Sequence, residues 1–405
     1  MQFLRDFIDK NITPHVQPGE KYAWLHTTWD ALDTFLFTPN LTTKGKVHVK
    51  DGIDLKRTMD HVIKALIPCL LFGMWNVGHQ HFNVVANVVW DNWGDQFFTE
   101  LWYGALTVLP VVITSYLVGL AIDFFFCTIR HEQVNEGYLV TGMLIPLIMP
   151  PTIPLWMVAA ATAFAVIIAR EAFGGTGMNL LNVALTARVF LFFAYPTDMS
   201  GDTVWIATEH NFLAGLFFND HLIVDGYTGA TWLGQAASAV DQVSFTDVTG
   251  NAISIWDAFA GWIPGSIGET SSLACLIGAI ILCVTGIGSW RVMISVVFGG
   301  LAMGYLLNAI GGTPFMDMPG WYHLFVGGFA FGLVYMATDP VTASQTNQGK
   351  FIYGFFIGFI AVLIRVINPA YPEGMMLAIL LMNTFAPLID YYVVQGNIKR
   401  RLSRG

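Results

Sequence analysis

Residues 101–129, LWYGALTVLPVVITSYLVGLAIDFFFCTI, decide the fold, because Asp123 is the one charged side chain among them. A helix needs about 20 consecutive apolar residues to cross the hydrocarbon core of a bilayer. Similar runs precede and follow this one, so the sequence predicts an all-α polytopic membrane protein with about ten transmembrane helices. The predicted spans are 60–78, 101–129, 138–149, 153–172, 179–196, 271–289, 291–311, 321–338, 351–368 and 374–395.

The composition agrees with a membrane protein. Of 405 residues, 55% are hydrophobic and 12% are charged, whereas about 25% are charged in a typical soluble domain. A soluble enzyme and a secreted disulfide scaffold are therefore excluded, and the net charge of −9 argues against nucleic acid as a partner. The four cysteines lie in apolar runs without a C-x-x-C pair, which predicts buried apolar side chains.

The third predicted span, 138–149, is too short to cross alone. It contains Pro146 and runs into Pro150, Pro151 and Pro154. Proline removes a backbone donor and breaks the helical ladder. We therefore expect a re-entrant or broken helix, which is tolerated at membrane depth only where protein buries it.

The distribution of basic residues predicts the orientation of the chain in the membrane. Of 19 Lys and Arg residues, nine lie within residues 1–64, whereas residues 197–270 contain nine Asp or Glu and no Lys or Arg. Positively charged segments stay in the cytoplasm. Both termini are therefore predicted to be cytoplasmic, with residues 197–270 on the opposite side.

Five segments follow from these patterns. They are a cytoplasmic N-terminal arm at 1–58, a first transmembrane block at 59–196, an acidic insert at 197–270, a second transmembrane block at 271–395 and a basic cytoplasmic tail at 396–405. Five spans on each side of the insert suggest two five-helix repeats, and an odd span number makes such repeats inverted.

The insert contains the motif Asp225-Gly226-Tyr227-Thr228-Gly229-Ala230-Thr231. Asp-Gly and the second glycine are typical of a turn. A flexible glycine-rich segment would also expose the hydroxyl of Thr231 to covalent attachment by another enzyme. The residues alone leave both interpretations open.

The motif, the ten spans and the arm together resemble the B-subunit family of the Na+-translocating NADH:quinone oxidoreductases of the bacterial inner membrane. The resemblance implies FMN joined through its phosphate to Thr231 by a flavin transferase that uses FAD, with the insert in the periplasm. The motif residues implied to bind this cofactor are Thr231, Asp225, Gly226, Thr228, Gly229 and Ala230. The D subunit of the related Rnf ferredoxin:NAD+ complex is the nearest alternative, but its N-terminal arm is typically shorter.

A second polar stretch, Gly174-Gly175-Thr176-Gly177-Met178-Asn179-Leu180-Leu181-Asn182, opens the fifth span. Asn179 and Asn182 are expected on one helical face, where they could serve interhelical hydrogen bonds. The alternative is a pocket for a planar polar cofactor. The resemblance implies a noncovalent riboflavin, which we assign to Gly175, Gly177, Asn179 and Asn182.

Ionisable groups in or beside membrane spans are costly and indicate function. Asp339 lies beside a proline and two hydroxyl residues, and such oxygen groups suit a hard cation such as Na+. The resemblance implies Asp339, Asp390 and Glu136 as residues of the sodium path. Each could alternatively be a charge at a helix end, or a partner of Arg188 or Arg365.

The resemblance also implies that this chain reduces ubiquinone near the cytoplasmic side. Glu136, Gly137 and Gly142 border the short third span, where a flat ring could enter, and they are the candidate quinone residues. No residue is assigned a catalytic role in acid–base or nucleophilic chemistry.

No G-x-G-x-x-G motif opens a βαβ unit in this sequence, so no NADH site is predicted. Electrons must then arrive from another polypeptide. The implied partners are an NADH-oxidising flavin and iron–sulfur subunit, a periplasmic FMN subunit and small membrane subunits. A cofactor-free channel for small solutes, of the urea-transporter type, is the rival function from a different class.

Overall fold

The computed structural model describes residues 10, 13–16, 55–83, 93–130, 134, 137–201, 205–207, 213–217, 230–240, 243, 245–246, 252, 254–368, 371 and 373–404. Within them every regular element is a helix, and an isolated bridge pairs Thr246 with Ala252. The prediction of an all-α polytopic membrane protein is confirmed.

Ten helical elements follow the predicted spans and are labelled in chain order. The first block holds α1 (Leu55–His81), α2 (Trp93–Arg130), α3 (Gly137–Leu147), α4 (Leu155–Ala165) and α5 (Val183–Ala194). The second holds α6 (Ser272–Val284), α7 (Trp290–Ile310), α8 (Phe329–Phe331), α9 (Asn347–Ile367) and α10 (Met375–Leu402). The π-helical turns Val166–Arg170 and Gly332–Met336 extend α4 and α8, and α4 closes with a 3-10 turn, Glu171–Phe173.

Short helical turns lie in the arm and in the connections between the ten elements. They are Thr13–Val16, Pro196–Met199, Ala214–Leu216, Trp232–Ser238, Ile255–Ala260, Pro314–Asp317 and Gly320–Leu324.

Length separates the membrane helices into two groups. In the described part of the chain, six are long and apolar enough to cross a bilayer: α1, α2, α4 with its extension, α7, α9 and α10. Three apolar helices, α3, α5 and α6, are shorter. The predicted span 321–338 is interrupted rather than continuous, because a 3-10 turn ends at Leu324 and Gly327 has a positive φ of 68° before α8 begins.

The third element ends inside the protein, as its prolines predict. Helix α3 has 11 residues and stops at Leu147, which is fully buried. Beyond it, the amide of Gly268 donates to the carbonyl of Leu147 at 2.7 Å, and the amide of Ile267 donates to the carbonyl of Met149 at 3.0 Å. The broken end is therefore satisfied by backbone from the loop before α6, as burial requires.

Helix α1 joins the two blocks, because it packs against both α2 and α6. The Tyr335 hydroxyl, beyond α8, donates to the carbonyl of Ala65 in α1 at 2.7 Å. The sulfurs of Cys69 and Cys275 lie 3.9 Å apart at the same contact. Both cysteines are buried as predicted, but Cys283 is exposed. The two repeats remain a prediction.

Candidate functional site

Thr231 lies directly before a short helix of the insert, Trp232–Ser238. It is the N-cap of this helix, and its hydroxyl oxygen accepts from the amide of Gly234 at 3.2 Å. The same hydroxyl donates to the carbonyl of Gly201 at 3.4 Å. Threonine is favoured at this position because it satisfies an otherwise unpaired helix amide. Of the other motif residues, Ala230 is half-buried, and Asp225, Gly226, Thr228 and Gly229 lie outside the described residues.

A small cavity of about 30 Å³ has Thr231 on its wall, and we refer to it as the Thr231 cavity. Two of its buried polar atoms, Ser266 Oγ and Trp232 Nε1, have no hydrogen-bond partner among the described residues. Leaving such an atom unsatisfied costs roughly 1–3 kcal/mol, so the cavity suits a polar ligand. The Trp232 ring stacks on Phe245, with centroids 4.4 Å apart and planes 9° from parallel.

Two carboxylates on the same wall are bound by an arginine of α5. Arg188 contacts Glu269 at 2.8 Å and also pairs with Glu373. Arg365 of α9 donates to the carbonyls of Glu373, at 2.8 Å, and His323, at 2.7 Å. These four side chains, Arg188, Glu269, Glu373 and Arg365, are called the α5 charge cluster. It balances two carboxylates with two guanidinium groups.

A larger cleft of about 100 Å³ lies at the start of α5, and we refer to it as the Asp339 cleft. It brings together Gly177, Asn179 and Asn182 from the predicted riboflavin stretch, Gly137 from the predicted quinone site and Asp339 from the predicted sodium path. Gly142 and Gly175 are not on its wall.

The asparagines of this cleft are not on one helical face, contrary to the sequence expectation. Residues 178–182 are non-helical, and Asn182 is the N-cap of α5, where its side-chain oxygen accepts from the Leu185 amide at 3.1 Å. Asn179 donates instead to the carbonyl of Leu181 at 3.0 Å. The turn before them has positive φ at Gly174, Gly175 and Gly177, a conformation that glycine adopts without strain.

Asp339 lies beyond the end of α8, outside the spans, and is half-buried. Its carboxylate accepts from the Val341 amide at 3.0 Å, the Thr342 hydroxyl at 3.0 Å and the Asn182 side-chain amide at 3.3 Å. Burial raises the pKa of this carboxyl, and those three hydrogen bonds lower it only in part. No Lys, Arg or His within the described ranges forms an ion pair with it.

Residues 42–399 match the model of the NQR2, RnfD, RnfE family. The chain belongs to this family. Similar proteins include the B subunit of the Na(+)-translocating NADH-quinone reductase of Ectopseudomonas mendocina (strain ymp), at 47% identity over 99% of both chains. The corresponding B subunits of Stutzerimonas stutzeri (strain A1501) and Chromohalobacter salexigens are each 46% identical over 99% of this chain, covering 99% and 96% of their own lengths.

In this member of the NQR2, RnfD, RnfE family, Asp390 of α10 is surrounded by hydrogen-bond donors. Its carboxylate accepts from the Ser344 hydroxyl at 2.7 Å, from the Gln345 amide at 2.7 Å and from both the amide and the hydroxyl of Thr346, at 3.0 Å and 2.6 Å. A carboxylate bound in this way ties the loop before α9 to α10. Its oxygens have less capacity left for a cation than those of Asp339.

The predicted quinone residues are only partly brought together. Gly137 begins α3 on the wall of the Asp339 cleft. Gly142 lies further along α3, where its carbonyl accepts from the Ser115 hydroxyl at 3.0 Å. Glu136 lies outside the described residues.

Sequence reasoning missed Glu269 and Glu373, and for Asp123 it offered Arg188 or Arg365 as a partner, whereas the structure pairs Asp123 with Arg170. Arg188 meets Glu269 and Glu373 across 81 and 185 residues of sequence, so no local spacing could reveal the pairing. Asp123 pairs with Arg170 at 3.0 Å, and Arg130 pairs with Glu171 at 2.8 Å. The signal available was the presence of Arg188 and Arg365 inside spans, because a buried arginine needs a buried carboxylate or backbone carbonyls as partners.

Proposed function

We propose that this chain is the membrane subunit of a Na+-translocating NADH:quinone oxidoreductase that carries FMN on Thr231 through a phosphoester. It passes electrons by way of a riboflavin to ubiquinone, and this transfer is coupled to Na+ translocation. The observation that carries the proposal is the position of Thr231 on the wall of a cavity with two unsatisfied polar atoms. The similarity to B subunits of the quinone reductase along nearly their whole length supports this role over an Rnf D subunit.

The attachment is a phosphoryl transfer. The Thr231 oxygen attacks the FMN phosphorus of FAD, the pyrophosphate bond breaks, AMP leaves and the hydroxyl proton is lost. In the resting structure this oxygen is a buried N-cap. The flavin transferase therefore needs the contact between Thr231 and Gly201 to open, because the attacking oxygen must be reached from outside.

The residues that line the Asp339 cleft support the proposal of a second flavin site and a quinone site. Bound flavin supplies one- and two-electron redox chemistry, and the chain's residues bind and orient it. Asn179 lines the cleft, where its side-chain oxygen can accept from a polar ring, and Gly137 and Gly177 leave room at the wall. Arg170 also lines this cleft; it pairs with Asp123, but one of its guanidinium nitrogens has no hydrogen-bond partner among the described residues and can donate to a quinone oxygen.

The sodium proposal rests mainly on Asp339. The Asp339 carboxylate accepts hydrogen bonds from neutral donors, and it forms no ion pair with a cationic side chain among the described residues. Its charge therefore remains available to a metal cation. Na+ would bind the Asp339 oxygens and turn the Thr342 hydroxyl from a donor into a ligand. An electron that moves through a low-dielectric region is stabilised by such a compensating cation. Asp390 and Glu136 complete the proposed path.

The arrangement in the membrane follows the charge asymmetry. We infer that both termini are in the cytoplasm of a bacterial cell, with residues 1–58 and 396–405 on that side, and that residues 197–270 are periplasmic. The Thr231 cavity then opens toward the periplasm and the Asp339 cleft toward the cytoplasm. The proposed partners are the NADH-oxidising flavin and iron–sulfur subunit, the periplasmic FMN subunit and the small membrane subunits.

In-gel fluorescence tests the proposed function. Denatured protein from native membranes should give a fluorescent flavin band at the size of this chain. Thr231→Ala should abolish the band, whereas Thr197→Ala, which removes an exposed hydroxyl near the start of the insert, should retain it. A non-fluorescent wild-type band would contradict the proposal and favour the cofactor-free channel.

A further inference from the structure

The last helix of the chain is longer than a membrane crossing requires. Helix α10 runs from Met375 to Leu402 and is one of the helices apolar enough to cross a bilayer. Its 28 residues extend about 42 Å, whereas the hydrocarbon core is about 30 Å thick and takes about 20 helical residues to cross. Residues 395–402 therefore lie at the level of the lipid phosphates.

We propose that this end of α10 is a binding site for an anionic phospholipid of the surrounding bilayer. The site consists of an exposed apolar stripe on one side of the helix and of two basic side chains at the edges of that stripe. It has no part in the proposed electron transfer or Na+ path, and it stands independently of both.

The apolar stripe is formed by four side chains on one side of α10. At about 100° per residue, they fall within about 80° of the helix circumference. Their exposed fractions are 43% or more, so no other part of the described chain covers them. A Cβ added at Gly396 would meet no heavy atom of the described chain within 4 Å, so the helix stands apart at this level. The apolar stripe comprises Tyr391, Val394, Ile398 and Leu402.

Basic side chains flank the stripe. Lys399 lies on one edge and Arg401 on the other, whereas Arg400 lies on the opposite face of the helix. All three are exposed, and none forms an ion pair within the described ranges. The sequence has no Asp or Glu after Asp390, whose carboxylate already accepts four hydrogen bonds from the loop before α9. This end of α10 is therefore cationic without a compensating carboxylate.

A phospholipid with a net negative charge matches both parts of this surface. Its acyl chains are apolar and can lie along the stripe, and its phosphate can accept hydrogen bonds from the basic side chains. Lys and Arg keep their charge at the interface while their methylene stems contact apolar surface. Basic clusters directly beyond a membrane helix attract anionic lipids. A neutral lipid, or an apolar helix of another subunit, would cover the stripe but leave the cations unbalanced.

The position of the basic residues around the helix separates a defined site from general attraction. If only the net charge of the tail mattered, removal of either arginine would have the same effect. In the proposed site, Arg401 faces the lipid and Arg400 faces away from it. These neighbours carry the same charge, so they form a matched pair for the test.

Photo-crosslinking tests the proposal on the full-length chain, purified from native membranes together with its partners and returned to phosphatidylcholine vesicles. Phosphatidylglycerol and phosphatidylcholine probes, each with a diazirine on an acyl chain, are compared at equal concentration. The phosphatidylglycerol probe should label the chymotryptic peptide 393–402 at least about fivefold more than the phosphatidylcholine probe. High salt should reduce this preference, because it screens the attraction between exposed charges.

Three variants examine the two parts of the site. Arg401→Gln should lower the preference for phosphatidylglycerol at least about threefold, whereas Arg400→Gln should retain most of it. Ile398→Gln keeps every charge but interrupts the apolar stripe, so it should reduce labelling by the phosphatidylglycerol probe. All three side chains are exposed, so the variants should fold, and thermal unfolding in detergent checks this.

Each outcome decides for or against the site. A reduction confined to Arg401→Gln and Ile398→Gln would support it. Equal labelling by the two probes, or equal losses in Arg400→Gln and Arg401→Gln, would overturn it in favour of general attraction. A peptide labelled by neither probe would also overturn it, because another subunit would then cover the stripe.

Discussion

The Thr231 cavity and the Asp339 cleft both depend on α5 but handle charge differently. Arg188, which pairs with two carboxylates on the wall of the cavity, lies six residues after Asn182, on the wall of the cleft, or roughly 9 Å along the helix axis. At the cavity, arginine neutralises both carboxylates. At the cleft, Asp339 meets a hydroxyl and two amides. The carboxylates at the cavity are therefore neutralised by a fixed arginine, whereas Asp339 forms no ion pair with a Lys, Arg or His among the described residues.

The largest effect on stability is expected for a substitution that breaks the charge balance of the cavity. Arg188→Ala leaves Glu269 and Glu373 buried without their partner, so it should lower the free energy of unfolding by about 3–5 kcal/mol. Thermal unfolding in detergent measures the loss. Arg401→Ala, which removes an exposed arginine of the tail, should change it by less than about 0.5 kcal/mol. Equal stability of the two variants would show that the paired charges contribute nothing.

The next prediction concerns a variant that removes the carboxylate of Asp339 from the cleft. Asp339→Asn should raise the Na+ concentration for half-maximal stimulation of quinone reduction at least tenfold while the flavin stays attached. Asp390→Asn should mainly lower stability, because its carboxylate binds the loop at Ser344–Thr346. Steady-state assays over a range of Na+ concentrations compare the two variants. An unchanged Na+ requirement in Asp339→Asn would remove this residue from the path.

The cleft should also be the more sensitive of the two sites to pH. Burial raises the pKa of Asp339, so this carboxyl takes up a proton at a higher pH than an ordinary aspartate. Na+ binds only the ionised form. The half-saturating Na+ concentration should therefore rise as pH falls toward that pKa, by up to tenfold per pH unit below it. In Asp339→Asn the residual Na+ dependence should lose this pH response, and a response that persisted would have to come from another group.

The smallest effect separates the two roles of Asn182. Asn182→Ser keeps a side-chain oxygen for the Leu185 amide but loses the contact with Asp339, so stability should be nearly unchanged while Na+ affinity falls a few-fold. Asn182→Ala loses the cap as well and should cost about 1 kcal/mol more. Unfolding and Na+ titration of the pair measure the difference. Identical unfolding of the two variants would argue against a capping role.

The sequence predicted the membrane class and most of the helix positions, because apolar run length is a direct physical requirement of the bilayer. The break before Pro150 followed from the missing amide of proline. The interruption near Gly327 was missed, since a glycine in an apolar run does not identify which backbone conformation it will adopt.

The sequence likewise identified some residues of the candidate site and missed others. Asp339, Asn182 and Gly137 were chosen from separate stretches, and the structure places them around one cleft. Glu269 and Glu373 were not chosen, because their importance depends on an arginine that is distant in sequence. Local chemistry is readable from local residues, whereas charge pairing across the fold is not.

Mass spectrometry of the peptide that contains residues 225–231 tests the central claim most directly. In native material, Thr231 should carry an adduct of about 0.44 kDa, the formula mass of FMN less water. Fragmentation should assign the adduct to Thr231 rather than to Thr228. An unmodified peptide, recovered in full from active membranes, would contradict the account.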